Sequence, residues 1–186
     1  MDKKALFQIF KKNAEQVQAK VLSIVSQQQA IEYTIQLALD SRTKALAGVG
    51  LNTGLDQILD QECRINRIER LKPPLRHQAE NIHIALTCAD WGIADTGSLV
   101  LYSDSEDLRI ATMLADTHVA ILDLDAIYPH LENLEQEIDP VLKKNQASYT
   151  AVITGPSRTA DIERILAIGV HGPQELHILV WGDWHS

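Results

Sequence analysis

The sequence is poor in cysteine, in aromatic residues and in long apolar runs. Its 186 residues include two cysteines, Cys63 and Cys88, and aromatic residues make up 5% of the chain. Because an iron–sulfur cluster needs about four thiolates, the chain is not expected to hold one. The seven histidines are scattered and lack the i, i+4 pair that is typical of a zinc site on a helix. We therefore expect no metal and no cofactor.

Signals for membranes and export are also missing. No apolar stretch approaches the ~20 residues that a membrane-spanning helix needs. Residues 1–7 are charged and amphipathic, whereas a secretory signal contains an apolar segment. These features predict a cytoplasmic protein without a membrane partner, in which two distant cysteines stay reduced.

Basic residues are fewer than acidic residues in this chain. Lys and Arg number 17 against 25 Asp and Glu, which gives a net charge of −8 and a pI of about 5.3. Nucleic acids and anionic membrane surfaces are bound by basic faces, so neither is an expected partner. The patterns GxxxxGK[ST], GxGxxG and GxSxG are absent as well. The hydrophobic content of 45% is sufficient for one sizeable core.

The N-terminal part has the periodicity of helices. Apolar residues recur at helical spacing over residues 3–25, which predicts an amphipathic helix. Ser26 and Gln29 have the spacing of a capping box, so a second helix is expected to start near residue 27. We expect residues 1–40 to form a helical extension, packed on the domain or on a partner, and residues 41–186 to form the main domain.

The rest of the chain alternates between strand and helix patterns. Apolar runs predict strands over 82–88, 97–102 and 118–122, with a polar turn at 89–92. Residues 44–51 fit either a buried strand or a small-residue turn. A helix is predicted from Asp125 to about Lys144, limited by Pro129 and Pro140. This order predicts an α/β fold with a mixed, mainly parallel sheet flanked by helices.

The C-terminal fifth reads as strand, glycine turn, short helix, glycine turn and strand. The apolar runs 149–153 and 176–180 would then form a βαβ unit, whose strands are parallel by default. In the first turn, Gly155, Ser157 and Arg158 suggest an anion site made of backbone N–H groups, a hydroxyl and a guanidinium fork. The alternative is an ordinary helix cap by Ser157 or Thr159 beside a solvated arginine.

Two segments resemble the motifs of a known family. Residues 155–163 (GPSRTADIE) and 169–173 (GVHGP), together called the C-terminal signature here, resemble the signature of the lactate-utilisation (LUD) domain family. The branch they resemble most is that of lactate utilisation protein C. Residues 89–101 (ADWGIADTGSLVL), called the Asp95 motif here, resemble the second motif of the family, in which the acid is more often Glu.

The resemblance carries expectations about fold and function. It implies a three-layer fold similar to ribose-5-phosphate isomerase and the CoA transferases. It also implies a complex of three proteins that converts L-lactate to pyruvate, with the redox centres on iron–sulfur partner subunits. This chain would then bind a small carboxylate or phosphate, or organise the complex. The alternatives are a stand-alone CoA-transferase-like or sugar-phosphate-isomerase-like enzyme that acts on an anionic substrate, and a non-catalytic interaction module.

Two residues are the candidates for catalysis. Asp95 lies beside a glycine between apolar segments, where desolvation would favour its action as a base or nucleophile. In CoA transferases a Glu before a glycine turn attacks the thioester, and the analogy with Asp95 is one of fold alone. Its other interpretation is a turn carboxylate that accepts backbone N–H groups. His171 lies between glycines and is the candidate general acid–base among the histidines.

Further side chains are expected to bind the substrate or to support the fold. Arg109 either adds a second cation to an anion site or pairs with Glu106. Among the other histidines, His118 is expected in the core, and His83 and His177 on a polar face of the sheet. The predicted substrate-binding residues are Thr96, Ser98, Arg109, Gly155, Ser157, Arg158 and Thr159.

Overall fold

The computed structural model describes residues 2–142, 149–157 and 172–184. Its helices are α1 (Lys3–Gln16), α2 (Gln27–Asp40), α3 (Thr53–Ile65), α4 (Glu106–Leu114) and α5 (Glu135–Leu142). Its strands are β1 (Lys20–Ile24), β2 (Ala45–Val49), β3 (Glu69–Leu71), β4 (Ile84–Cys88), β5 (Trp91–Ile93), β6 (Ser98–Ser103), β7 (Thr117–Asp123), β8 (Ile127–Tyr128), β9 (Tyr149–Ile153) and β10 (Glu175–Trp181). None of the described helices has both the length and the apolar character that crossing a bilayer requires.

The main sheet is parallel and buried on both faces. Within the described ranges it has six strands in the order β1-β10-β7-β4-β2-β3, and every neighbouring pair is parallel. Leu86, Ile121 and Leu179 share a core with residues of α2 and α3 on one face. On the other face, Leu122 and Val180 share a core with residues of α1 and α4. Near-continuous apolar strands are what a sheet covered on both sides requires.

A small sheet completes the fold. Four of the described strands form it, in the order β8-β5-β6-β9, with β5 and β8 parallel and β6 antiparallel to both β5 and β9. Leu99 and Leu101 of this sheet join the core that also contains α1 and α4. Its other face packs Val100 against Leu134. The predicted α/β fold with a mainly parallel sheet flanked by helices is confirmed.

The predicted first helix is wrong beyond residue 16. Gln18 adopts a φ of 68°, and residues 20–24 form β1, which pairs with β10. The buried side chains of β1 are Val21 and Ile24, and their spacing of three imitates a helix. The second helix starts at Gln27 with Ser26 as its N-cap, as predicted. The division at residue 40 stays a prediction about independent units, although α1 and β1 contribute to the same core as later elements.

The middle of the chain needs two further corrections. Residues 89–92 are more than a turn, because Trp91–Ile93 form β5. The single helix predicted from Asp125 to Lys144 is wrong: the described part holds a 3₁₀ turn, β8, a second 3₁₀ turn and only then α5. Pro129 explains the break, since a proline disfavours helical backbone in the residue before it. Residues 45–49 form β2, so of the two alternatives for residues 44–51 the buried strand is correct.

The predicted parallel pair at the C-terminus is also wrong. β9 pairs with β6 in the small sheet, and it does so antiparallel. β10 lies between β1 and β7 in the main sheet. Their burial fits these places, because Val152 of β9 is 54% exposed whereas residues 176–180 of β10 are buried throughout. The predicted helix between the two strands lies outside the described residues.

Candidate functional site

Two parallel strands of the small sheet end side by side. Asp95 follows the carboxyl end of β5 by two residues, and His130 follows that of β8 by two residues. The backbone pairing continues past the strands: the Ala94 N–H donates to the Tyr128 carbonyl (2.8 Å), and the Asp95 N–H donates to the Pro129 carbonyl (3.1 Å). The register of this pair therefore brings Asp95 and His130 to the same edge of the sheet.

The side chains of these two residues form a hydrogen-bonded pair. The Nδ1 atom of His130 lies 3.0 Å from Oδ2 of Asp95. A carboxylate only accepts hydrogen bonds, so Nδ1 carries the proton, and Nε2 of the neutral ring is left as an acceptor. The side chains of His130 and Asp95 are 61% and 42% exposed. The expected desolvation of Asp95 is therefore not found, and the pair is accessible from solvent.

Hydroxyl groups continue the same edge across the sheet. β6 begins at Ser98 and β9 ends just before Thr154. The Ser98 hydroxyl donates to Thr96 Oγ1 (2.8 Å), and its Oγ lies 2.7 Å from Thr154 Oγ1. Ser98 is buried, whereas Thr96 and Thr154 are exposed. Four neighbouring strands at a spacing of ~4.8 Å span about 14 Å. We call this row of His130, Asp95, Thr96, Ser98 and Thr154 the polar edge.

The end of α1 supports the polar edge from below. The Asn13 amide donates to the carbonyls of Ala94 (2.8 Å) and Asp95 (3.0 Å). Gly97 has a φ of +63°, and a Cβ there would lie 2.1 Å from the Ala14 nitrogen. Such contact requires glycine at residue 97, both for its conformation and for the close approach. Asn13 and Gly97 together fix the backbone on either side of Asp95.

The first glycine turn rests on the same helix end. Gly155 has a φ of +73°, and a Cβ there would lie 2.3 Å from the Val17 carbonyl oxygen. Two residues later, the Ser157 N–H donates to the Pro173 carbonyl (2.7 Å). A Cβ at Gly172 would come within 2.8 Å of Ser157 Cβ. The described parts of the C-terminal signature thus contact each other and adjoin the polar edge through Thr154.

The sequence of the whole chain matches a described family over nearly its full length. The model of the LUD domain matches residues 7–181. The chain belongs to the LUD domain family. This confirms the resemblance that the Asp95 motif and the C-terminal signature indicate.

Several curated relatives of this LUD domain protein are named for lactate utilization. It is 34% identical to Lactate utilization protein C of Macrococcus caseolyticus over 107 residues, which are 56% of this chain and 46% of that protein. It is 33% identical to Lactate utilization protein C of Bacillus subtilis over 112 residues, 57% and 45% of the two chains. The uncharacterized protein YkgG of Escherichia coli is 31% identical over 133 residues, 70% and 58% of the two chains. The chain spans about half the length of the curated relatives it matches.

A solved structure has the same fold. It is a DUF162 family protein from Deinococcus radiodurans, with a TM-score of 0.66, 18% sequence identity and coverage of 98% of this chain and 99% of that one. At this identity the likeness shows the fold alone.

The LUD domain brings only some of the predicted site residues together. Asp95, Thr96 and Ser98 lie on the polar edge, and Gly155 and Ser157 adjoin it. Arg109 does not lie there: it is exposed on α4, a helix that packs against β2 and β4 of the main sheet. Arg158, Thr159 and His171 lie outside the described residues. The predicted anion site therefore stays a prediction.

A second carboxylate of the Asp95 motif, that of Asp90, is tied to β6 by hydrogen bonds. Its Oδ2 atom accepts the Tyr102 N–H at 2.7 Å, and its own N–H donates to the Val100 carbonyl at 3.0 Å. Burial of the carboxyl group raises the pKa of Asp90 above the ordinary Asp value, against the effect of the hydrogen bond from Tyr102. These contacts join Asp90 to β6 through both its backbone and its side chain.

Two further histidines, His118 and His177, lie in strands of the main sheet. His118 is fully buried with Nε2 2.8 Å from the Thr87 hydroxyl, and burial lowers its pKa to about 4, so it is the core residue predicted. The polar-face prediction for His177 is wrong, because this residue is 1% exposed. Its Nδ1 lies 2.9 Å from the Tyr33 hydroxyl and its Nε2 2.8 Å from Glu175. Nowhere in the described ranges do three His, Cys, Asp or Glu side chains form a possible metal site.

Sequence reasoning missed His130 and Asn13. Both residues lie within predicted helices, His130 in the helix over 125–144 and Asn13 in the helix over 3–25. The available signal for His130 was Pro129, which ends any helix before it and makes Ile127–Tyr128 a candidate strand. Asn13 had no comparable signal, since its hydrogen bonds join residues about 80 positions apart.

Proposed function

We propose that this chain is a subunit of a cytosolic L-lactate utilisation system, in which L-lactate is oxidised to pyruvate. Membership in the LUD domain family and relatives named Lactate utilization protein C in several bacteria support this role. Because the chain spans about half of those relatives, the activity of the whole system is part of the proposal.

Within that system, the chain binds a small carboxylate at the polar edge. One observation carries this step: the Asp95 motif and Thr154, the residue just before the C-terminal signature, meet at one edge of the small sheet. They are joined there by the 2.7 Å contact between Ser98 and Thr154. Hydroxyl groups, an imidazole and the backbone around two glycines meet at this edge, and polar groups of these types orient small ligands in clefts.

The redox centres belong to iron–sulfur partner subunits in this proposal. The chain has two cysteines, and both are free thiols. Burial raises the pKa of Cys63 to about 11, and burial together with the Asp90 carboxylate raises that of Cys88 to about 11. A thiol must lose its proton to bind iron, so neither cysteine is suited to hold a cluster. A partner rich in cysteine would complete the system.

Growth on lactate tests the role in the cell. Deleting the gene in its host should abolish growth on L-lactate as sole carbon source and leave growth on glucose unchanged. Supplying the wild-type gene should restore growth. Tagged protein purified anaerobically from lactate-grown cells should bring iron-containing partners with it. Normal growth of the deletion strain on L-lactate would contradict the proposal.

The Asp95–His130 pair favours a second candidate, a stand-alone enzyme acting on an anionic substrate. A solvent-accessible imidazole held by a carboxylate is a common acid–base arrangement in enzymes. In this case the purified chain alone would turn over a phosphorylated sugar or a CoA thioester. Activity of the pure chain would decide for this candidate. If lactate, pyruvate and a phosphorylated sugar all fail to bind in calorimetric titrations, an interaction module remains.

A further inference from the structure

The described residues contain two exposed pairs of histidine and aspartate with the same contact. In one, His130 Nδ1 lies 3.0 Å from Asp95; in the other, His83 Nδ1 lies 2.8 Å from Asp116. The histidine side chains are 61% and 50% exposed, and the aspartate side chains 42% and 58%. Only the first pair lies on the polar edge. The second lies before the amino ends of β4 and β7.

The backbone of the first pair is fixed on both sides. The Asp95 N–H donates to Pro129, and the Asp95 carbonyl accepts the Asn13 amide. The His130 N–H donates to Asn133 Oδ1 at 3.1 Å. Neither residue can shift without breaking such bonds, so the ring is oriented before a ligand arrives. Preorganised groups of this kind are what proton transfer at a bound substrate requires.

We propose that His130, oriented by Asp95, accepts the hydroxyl proton of a 2-hydroxy carboxylate bound at the polar edge. The inference rests on the function proposed above and names the group that contacts the substrate hydroxyl. In the neutral ring, the Nδ1–H group donates a hydrogen bond to Asp95, and Nε2 holds the free electron pair. The substrate O–H bond breaks, an Nε2–H bond forms, and the electron pair stays on the substrate oxygen.

Each neighbour on the edge has a separate part in this step. The Asp95 carboxylate stabilises the positive imidazolium that forms, so Asp95 is a positioning residue. Ser98 donates its one hydroxyl proton to Thr96, so Thr154 donates to Ser98, and the Thr96 hydroxyl keeps its proton for a ligand carboxylate. Adjacent strands are about 5 Å apart. A ligand with its hydroxyl and carboxylate on adjoining carbons is therefore of a size to contact His130 and Thr96, which follow the neighbouring strands β8 and β5.

Paired titrations of L-lactate and pyruvate into the purified chain test the proposal. Pyruvate has the carboxylate of lactate but lacks its hydroxyl. We expect His130→Gln to weaken L-lactate binding about two- to tenfold, the effect of losing one hydrogen bond. The affinity for pyruvate should stay within about twofold. Asp95→Ala should have the same effect, and the double variant should lose no more than either single variant, because both act through one contact.

His83→Gln is the matched control. It removes the ring of the second pair, which has the same contact and similar exposure, so both ligands should bind as to wild type. In the complex with its partner subunits, lactate-dependent dye reduction should fall about a hundredfold or more in His130→Gln, the typical loss when a general base is removed. It should remain at the wild-type level in His83→Gln.

Three outcomes overturn the inference, and they are distinguishable. If His130→Gln lowered the affinity for lactate and for pyruvate equally, the ring would not contact the substrate hydroxyl. Loss of binding in His83→Gln alone would place the ligand in the cavity beside Arg42 and Lys44. The first result leaves the proposed function standing, and the second keeps a carboxylate-binding subunit but moves its site away from the polar edge. Failure of wild type to bind either ligand would overturn the proposed small-carboxylate site along with this inference.

Discussion

The main sheet and the small sheet place their polar side chains differently. In the main sheet, polar residues such as Thr87, His118 and His177 lie within strands and are buried, with hydrogen bonds to neighbouring side chains. In the small sheet, Asp95 and His130 follow the ends of strands and remain exposed. The first arrangement keeps polar groups away from solvent and the second presents them to it. The difference favours the small sheet as the place of chemistry and the main sheet as its support.

Burial is the physical cause of this difference. A ring enclosed on both sides by apolar layers is held neutral, and burial lowers the pKa of both His118 and His177. Open α/β sheets usually bind ligands beyond the carboxyl ends of their parallel strands. In this chain Asp95 and His130 stand just beyond the carboxyl ends of the parallel pair β5 and β8.

The largest predicted effect is at the contact between the small sheet and α1. Gly97→Ala would place a methyl group 2.1 Å from the Ala14 nitrogen at a φ of +63°. Overpacking and left-handed backbone together should lower the free energy of unfolding by about 3 kcal/mol or more. Urea unfolding measures it. The control is Gly54→Ala in α3, whose added carbon would be 3.3 Å from Asn52 Oδ1 and should change stability by less than about 1 kcal/mol. Similar results for both variants would contradict the close packing at Gly97.

The sequence predicts the long apolar strands better than the short ones. β4, β7 and β10 of the main sheet and β6 of the small sheet are continuous apolar runs, and the N-cap Ser26 gives the start of α2. β8 has only two residues, too few for a pattern. The apolar runs of β9 and β10 predict strands correctly but do not state their partners, because pairing is decided by burial in the assembled fold. That is why the expected βαβ pair is divided between two sheets.

Only part of the polar edge is predictable, again because strand pairing is decided in the assembled fold. Asp95, Thr96 and Ser98 belong to one motif and are found from sequence spacing. His130 enters the edge through the pairing of β5 with β8, a contact between residues 35 positions apart. Local patterns carry no information on such a contact. A histidine after a short apolar pair and a proline is the one local sign, and the helical periodicity around it outweighs that sign.

The second prediction concerns the loss of stability at acid pH that the buried His118 should cause. Burial lowers the folded-state pKa of this residue to about 4, while an unfolded histidine has a pKa of about 6.5. Between these values the unfolded chain binds the extra proton, so stability should fall as pH drops from about 6.5 to about 4. The loss amounts to about 3 kcal/mol at the lower end. His177, whose pKa is also lowered, acts in the same direction.

Urea midpoints at several pH values check this prediction. His118→Gln removes the titrating ring, so its stability should depend less steeply on pH between about 6.5 and 4 than that of wild type. The slopes are compared rather than the absolute stabilities, because the substitution also alters the contact with Thr87. An unchanged slope would show that the ring of His118 is not held neutral by burial.

A third, smaller effect is expected where α2 meets the main sheet. Tyr33→Phe removes the hydroxyl that lies 2.9 Å from His177 Nδ1 and leaves a buried nitrogen without that partner. The free energy of unfolding should fall by about 1–2 kcal/mol. Tyr128→Phe is a control, because Tyr128 is a partly exposed residue of the small sheet. Equal effects of both changes would mean that the hydroxyl of Tyr33 contributes nothing particular to the buried histidine.

The smallest effect on stability is expected at the polar edge itself. His130→Gln alters a side chain that is 61% exposed and whose hydrogen bond to Asp95 is open to solvent. Exposed pairs contribute little, so the free energy of unfolding should change by less than about 0.5 kcal/mol. The same substitution at His177, which is 1% exposed and hydrogen-bonded through both ring nitrogens, should cost about 2 kcal/mol or more. Thermal unfolding of the two variants compares the stability loss at an exposed histidine of the polar edge with that at a buried histidine of the main sheet. A large loss in His130→Gln would assign this ring to stability and remove the structural ground for its role at a substrate.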